Sequence, residues 1–156
     1  MRVTICAVGR LRSGPERDIV DDYIARFDRA GRGLGLGPAR ILEVDMRSGG
    51  GKAPEASKLR ASVPQGALVV ALDERGQMLS SPDFARKLAG WRDNGTRDLA
   101  FLIGGADGLQ TDLVGEADFS LSFGAMVWPH MLARAMLAEQ LYRAVSILAA
   151  SPYHRG

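Results

Sequence analysis

Residues 101–108 read FLIGGADG, residues 118–128 read DFSLSFGAMVW and residues 129–143 read PHMLARAMLAEQLYR. An apolar strand runs into the glycine pair Gly104-Gly105. A second strand runs into an apolar loop, and that loop runs into a Pro-His helix start. Two strand ends that carry flexible loops, close together in sequence, predict a ligand crevice at the edge of an open α/β sheet.

The rest of the chain extends the same alternation. Arg2–Val8 is nearly continuous in apolar character, as expected of a buried parallel strand. Ile19, Val20, Tyr23, Ile24 and Phe27 recur at helical spacing, so a helix is expected over Pro15–Ala30. Strands are expected at Ala39–Asp45, Gly66–Asp73, Asp98–Gly104 and Asp118–Phe123. Between them lie helices over Pro54–Val63 and from Pro82 to about Asp93, with Ser80 or Ser81 as the cap, and a short one over Thr111–Ala117. Glu74-Arg75-Gly76 reads as a tight turn, with Gly76 able to supply positive φ. A long helix over Pro129–Ala150 closes the pattern. The β-α alternation predicts one α/β domain over residues 1–156, a parallel sheet with helices on both faces.

Composition narrows the function classes. At 46% hydrophobic and 24% charged residues the chain is an ordinary globular one, and no apolar run reaches the ~18 residues of a membrane span. The start, MRVTICAVGR, lacks a small-residue cleavage site, so a cytoplasmic protein is expected. The lone cysteine, Cys6, sits in an apolar run and reads as a small buried hydrophobe; no Cys/His cluster has metal-ligand spacing. A net charge of +2 permits a nucleic-acid partner without demanding one.

Two glycine-rich segments are loops. GRGLGLGP (31–38) follows a helix, whereas a dinucleotide fingerprint follows a strand. In RSGGGKA (47–53) Lys52 follows Gly51, but Ala53 replaces the hydroxyl that a P-loop needs for magnesium, so the segment reads as a basic loop that is either solvated or in touch with an RNA phosphate. Gly104-Gly105 is a stronger signal, because paired glycines at a strand end allow close backbone approach; a plain turn is the other reading. Phe123–Trp128 suits a flat aromatic ligand, or the tail of a buried strand. His130 starts the last helix, where the dipole disfavours its charged form, and Arg134 follows one turn later. Glu139 and Arg143 pair at the same spacing. The helix is apolar around most of its circumference, which calls for a second partner surface, most simply in a symmetric dimer. The closing Tyr153-His154-Arg155 is either a frayed end or a set of groups that stack on bases and bind phosphate.

FLIGGADG, WPHMLAR, AEQLYRA and SPYHR together resemble the ribosomal RNA large subunit methyltransferase H family of the SPOUT superfamily. The specific motifs lie between Leu102 and Arg155, and the strand and helix order agrees over the whole chain. The resemblance implies a deep trefoil knot at the C-terminal end, a rare exception to the rule against knots. It implies S-adenosylmethionine held at Leu72, Gly104, Gly105 and along Phe123, Gly124, Ala125, Met126, Val127 and Trp128. It implies a homodimer in which the partner's tail completes the site, and methyl transfer to N3 of a pseudouridine in 23S ribosomal RNA, on the ribosome or large subunit. His130, Arg134, Tyr142, Arg143, Tyr153, His154 and Arg155 match the family's last helix and tail, and His130, Arg134, Tyr153, His154 and Arg155 are the expected catalytic set. No metal, membrane or DNA is expected. Another RNA acceptor such as transfer RNA, or a non-catalytic RNA- or nucleotide-binding module, are the alternatives. The family usually reads Gly-Gly-Pro-Glu-Gly where this chain has Gly104-Gly105-Ala106-Asp107-Gly108, and Ser and Thr where it has Gly124 and Val127, so backbone groups rather than those side chains would bond the cofactor.

Overall fold

The computed structural model describes residues 1–45 and 51–155. The expected basic loop at 47–53 lies outside the described residues up to position 50. The strands are β1 (Arg2–Val8), β2 (Ala39–Val44), β3 (Leu68–Met78), β4 (Asp98–Ile103) and β5 (Phe119–Ser122). The helices are α1 (Pro15–Gly31), α2 (Lys52–Ser62), α3 (Ser81–Asp93), α4 (Thr111–Glu116) and α5 (His130–Leu148). One five-stranded sheet has the order β2-β1-β4-β3-β5, with every described pairing parallel.

The pleat sends alternate side chains to opposite faces, and both faces are covered. Val3, Ile5 and Ala7 of β1 and Leu99, Phe101 and Ile103 of β4 join Phe27, Leu88, Leu137 and Leu141 in one cluster, which places α1, α3 and α5 on that face. Cys6, Val8 and Leu102 join Ala56, Leu59 and Leu113 in the other, beneath α2 and α4. Cys6 is buried and unbridged, as its setting in the sequence predicts, and burial pushes its thiol up. α3 is capped by Ser80, whose hydroxyl accepts from the Asp83 N–H at 3.2 Å.

The tight turn expected at Glu74-Arg75-Gly76 is instead an irregularity inside β3. Leu72 and Gln77 both register against Leu121, and the residues between them bulge. Gly76 is needed there for contact, not for positive φ: a Cβ would stand 2.8 Å from the Ser120 and Leu121 backbone. The bulge carries Asp73–Arg75 out of the sheet beside the ends of β4 and β5.

Candidate active site

Between the bulge of β3 and the C-terminal ends of β4 and β5 lies a cavity of about 370 Å³. Of the nine residues expected around a cofactor, Leu72, Gly104, Gly105, Phe123, Gly124, Met126, Val127 and Trp128 line it, and Ala125 does not. His130 and Ala133 extend the wall onto α5. The sequence reading placed none of Lys52, Asp73–Arg75, Ile103, Leu109 and Leu121 at the crevice, and these also line it. Their signal was position alone, since all but Lys52 lie at or just beyond the ends of strands already expected.

The glycine pair is both a turn and a wall. The Gly108 N–H donates to the Gly105 carbonyl at 3.0 Å, closing a tight loop after β4. A Cβ on Gly104 would lie 2.5 Å from the Gly108 carbonyl carbon, so only glycine fits there. Gly124 has φ +116 with nothing within 4 Å of a Cβ, leaving open space beside the backbone. At the rim, Arg75 donates to both Asp73 carboxylate oxygens, at 3.1 and 3.2 Å, and holds that carboxyl below its usual range.

His130 is half-buried. Its Nδ1 is buried with no hydrogen-bond partner among the described residues. Burial, and next the Arg134 guanidinium, hold its pKa below the usual imidazole range, so the ring is neutral at neutral pH. Arg134 was expected beside it at the reacting centre and is instead fully buried. Its Nη1 donates to Glu43 Oε1 at 2.9 Å, and its Nη2 donates to the carbonyls of Val8 and Gly9 at 3.2 and 3.1 Å. Arg134 therefore ties α5 to the ends of β1 and β2 and does not line the cavity.

The tail is docked on the body of its own chain. The Tyr153 ring packs at 4.6 Å from the Tyr142 ring, and its hydroxyl donates to Glu139 Oε1 at 2.9 Å and lies within hydrogen-bond distance of the Tyr23 hydroxyl, at 3.2 Å. Burial and these bonds push the Tyr153 phenol up, so it stays protonated. Arg143 donates through Nε and Nη2 to the same Glu139 oxygen, at 2.9 and 2.5 Å, and its Nη1 lies 3.4 Å from His154 Nδ1. Arg155 is exposed. None of Tyr153, His154 and Arg155 lines the cavity.

Of the apolar residues expected to leave a surplus on the last helix, Leu137, Leu141, Ala144 and Val145 are buried in the chain's own core, and the exposed apolar side chains gather in the loop before α5 and in its first turn. Met126 is 73% exposed and Val127 79%, followed by the partly exposed Trp128, Met131 and Leu132. Among the described residues no helix is long and apolar enough to cross a membrane.

Known proteins resemble this arrangement from end to end. The family described as "Predicted SPOUT methyltransferase" matches residues 1–154. A protein of Dinoroseobacter shibae named ribosomal RNA large subunit methyltransferase H is 69% identical over 155 residues, 99% of each chain. Its namesake in Ruegeria pomeroyi is 65% identical over the same share. The crystal structure of a probable methyltransferase from Bordetella pertussis Tohama I superposes with a TM-score of 0.52 at 19% identity, covering 92% of this chain and 96% of that one, and so supports the fold. With a matched family pattern over nearly its whole length and such close full-length relatives, the chain belongs to the ribosomal RNA large subunit methyltransferase H family of SPOUT methyltransferases.

Proposed function

We propose that this methyltransferase uses S-adenosylmethionine to methylate N3 of a pseudouridine in 23S ribosomal RNA, on the assembled ribosome or large subunit. It does so as a homodimer with a knotted C-terminal segment. The observation that carries the reading is the glycine-shaped cavity between the bulge of β3 and the ends of β4 and β5, in a chain so close to proteins named for ribosomal RNA methylation.

The residues present fit S-adenosylmethionine. The cavity is of a size for a nucleoside-sized ligand. Leu72, Ile103, Leu121 and Phe123 give apolar walls, and Gly104, Gly105 and Gly124 let the backbone approach a flat ring closely. When bound there, the cofactor supplies an electrophilic methyl group.

The protein's own work is to orient the acceptor and move one proton. N3 of the uracil ring must lose its proton, and the neutral His130 on the cavity wall is suited to take it. Arg134 is a positioning residue in this reading, holding the first turn of α5 against Gly9. Because Tyr153, His154 and Arg155 lie off their own cavity, they serve the cavity of the second subunit. There Arg155 stabilises negative charge on the ring oxygens. The exposed Met126–Leu132 face is the surface that brings the second subunit close.

The test offers the purified protein and methyl-labelled S-adenosylmethionine to ribosomes, large subunits and transfer RNA separately. Label in ribosomal RNA supports the reading. Label in transfer RNA alone selects the other acceptor, and no label anywhere rejects both.

A further inference from the structure

The loop between β1 and α1, Gly9–Gly14, takes no part in the cavity, yet it is anchored at several points. The Val8 and Gly9 carbonyls accept from Arg134. The Leu11 N–H donates to Glu43 Oε1 at 2.8 Å, and the Leu11 carbonyl accepts from Arg17 Nη1 at 3.5 Å. The Leu11 side chain is buried with Val20, Ala135 and Ala138. Surface loops held in place by a rigid scaffold are where binding residues are commonly carried.

The anchors fix what lies on either side of Leu11. Arg10 and Arg12 are both exposed. Neither guanidinium has a hydrogen-bond or ion-pair partner among the described residues. The other arginines near the cavity are committed, Arg75 to Asp73 and Arg134 to Glu43, and the remaining cation there, Lys52, lies on the cavity wall itself. The loop also stands at the catalytic end of the molecule, since a Cβ on Gly9 would lie 3.6 Å from Cε1 of His130, and His130 lines the cavity.

A rigid loop that presents two free guanidiniums beside a base-sized cavity suits a phosphodiester backbone, because guanidinium forks bind phosphate oxygens in a charge-assisted, bidentate way. We infer that Arg10 and Arg12 hold backbone phosphates of the RNA strand whose base enters the cavity, with Arg134 and Glu43 setting the loop's position. The inference rests on the RNA-methylating reading above.

The test is the double variant Arg10→Gln/Arg12→Gln, assayed on ribosomes lacking the modification, over a range of salt concentrations. Its control is Arg29→Gln/Arg97→Gln, which removes equal charge from exposed positions in the last turn of α1 and just before β4. Two lost phosphate contacts should flatten the slope of log affinity against log salt by about 1.4 to 1.8 and raise KM for ribosomes about tenfold at moderate salt. The maximal rate at saturating ribosomes, the affinity for S-adenosylmethionine and the unfolding temperature should stay at wild-type values. A double variant with the KM and salt slope of the wild type or of the control overturns the inference while leaving the methylation reading intact. A wild-type protein that transfers no methyl group to ribosomes overturns both.

Discussion

Arg134 and Glu43 lie 91 residues apart in sequence and 2.9 Å apart in space. Their ion pair joins the last helix to the end of β2, and the same guanidinium bonds the end of β1. Removing Arg134 takes the charged partner from the half-buried Glu43 carboxylate, which among the described residues keeps only the Leu11 N–H as a hydrogen-bond donor, and removes a buried donor from the Val8 and Gly9 carbonyls. Arg134→Met should therefore destabilise the fold by about 3 kcal/mol, since breaking one side of a buried pair is far costlier than losing an exposed one. Urea unfolding checks this, and a change below about 0.5 kcal/mol would mean that the junction tolerates the loss, as surface sites do.

Gly104 has no room for a methyl group, because a Cβ would sit 2.5 Å from the Gly108 carbonyl carbon. Gly104→Ala should push the 105–108 turn out of place. We expect affinity for S-adenosylmethionine, measured by calorimetry, to fall at least tenfold, on the order of 1.4 kcal/mol or more. A variant that binds as tightly as the wild type would place the cofactor elsewhere.

His130 gives the pH dependence. Its folded pKa lies below the unfolded value of 6.5, so as pH falls through 6.5 the unfolded chain takes up a proton before the folded one does. The histidine's contribution therefore lowers stability progressively below about pH 6.5, and His130→Asn should flatten that part of the curve. As the base, His130 remains competent below pH 6.5, so the methylation rate should hold its plateau there and fall only at lower pH. A rate that already halves above pH 6.5 argues for another base.

The tail predicts complementation. Truncation before Tyr153 should abolish methylation while leaving cofactor binding in place. Mixing truncated subunits with Gly104→Ala subunits, at an S-adenosylmethionine concentration too low to fill the altered cavity so that each is inactive alone, should restore activity if tails serve the partner's cavity. Random dimerisation would give roughly a quarter of wild-type sites. Mixtures that stay inactive, with mixed dimers verified by mass, would confine the tail's role to its own subunit.

Much of the fold was legible because a doubly covered parallel sheet writes itself as apolar runs separated by amphipathic helices. The strand order was not, since β3 and β4 swap places through contacts that no local pattern records. The bulge at Glu74–Gly76 looked like a turn because Gly76 satisfies both geometries, and only the nearby Ser120 and Leu121 backbone distinguishes them. At the site, FLIGGADG and the Pro-His helix start marked the cavity. Arg134 misled, because residues one turn apart share a helix face but not a destination: His130 ends at the cavity wall and Arg134 beneath it. Glu43, the residue that decides this, sits in β2, where nothing in the sequence ties it to α5.

The reaction proposed for this protein leaves a single methyl group at N3 of one pseudouridine in 23S ribosomal RNA. Ribosomes from a strain lacking this protein, incubated with it and S-adenosylmethionine, should yield one pseudouridine-bearing fragment heavier by one methyl group in mass spectrometry of the digested RNA. Fragmentation should place the methyl on the ring at N3. Ribosomal RNA that gains no methyl group, or gains it on the ribose or at another base, contradicts the account.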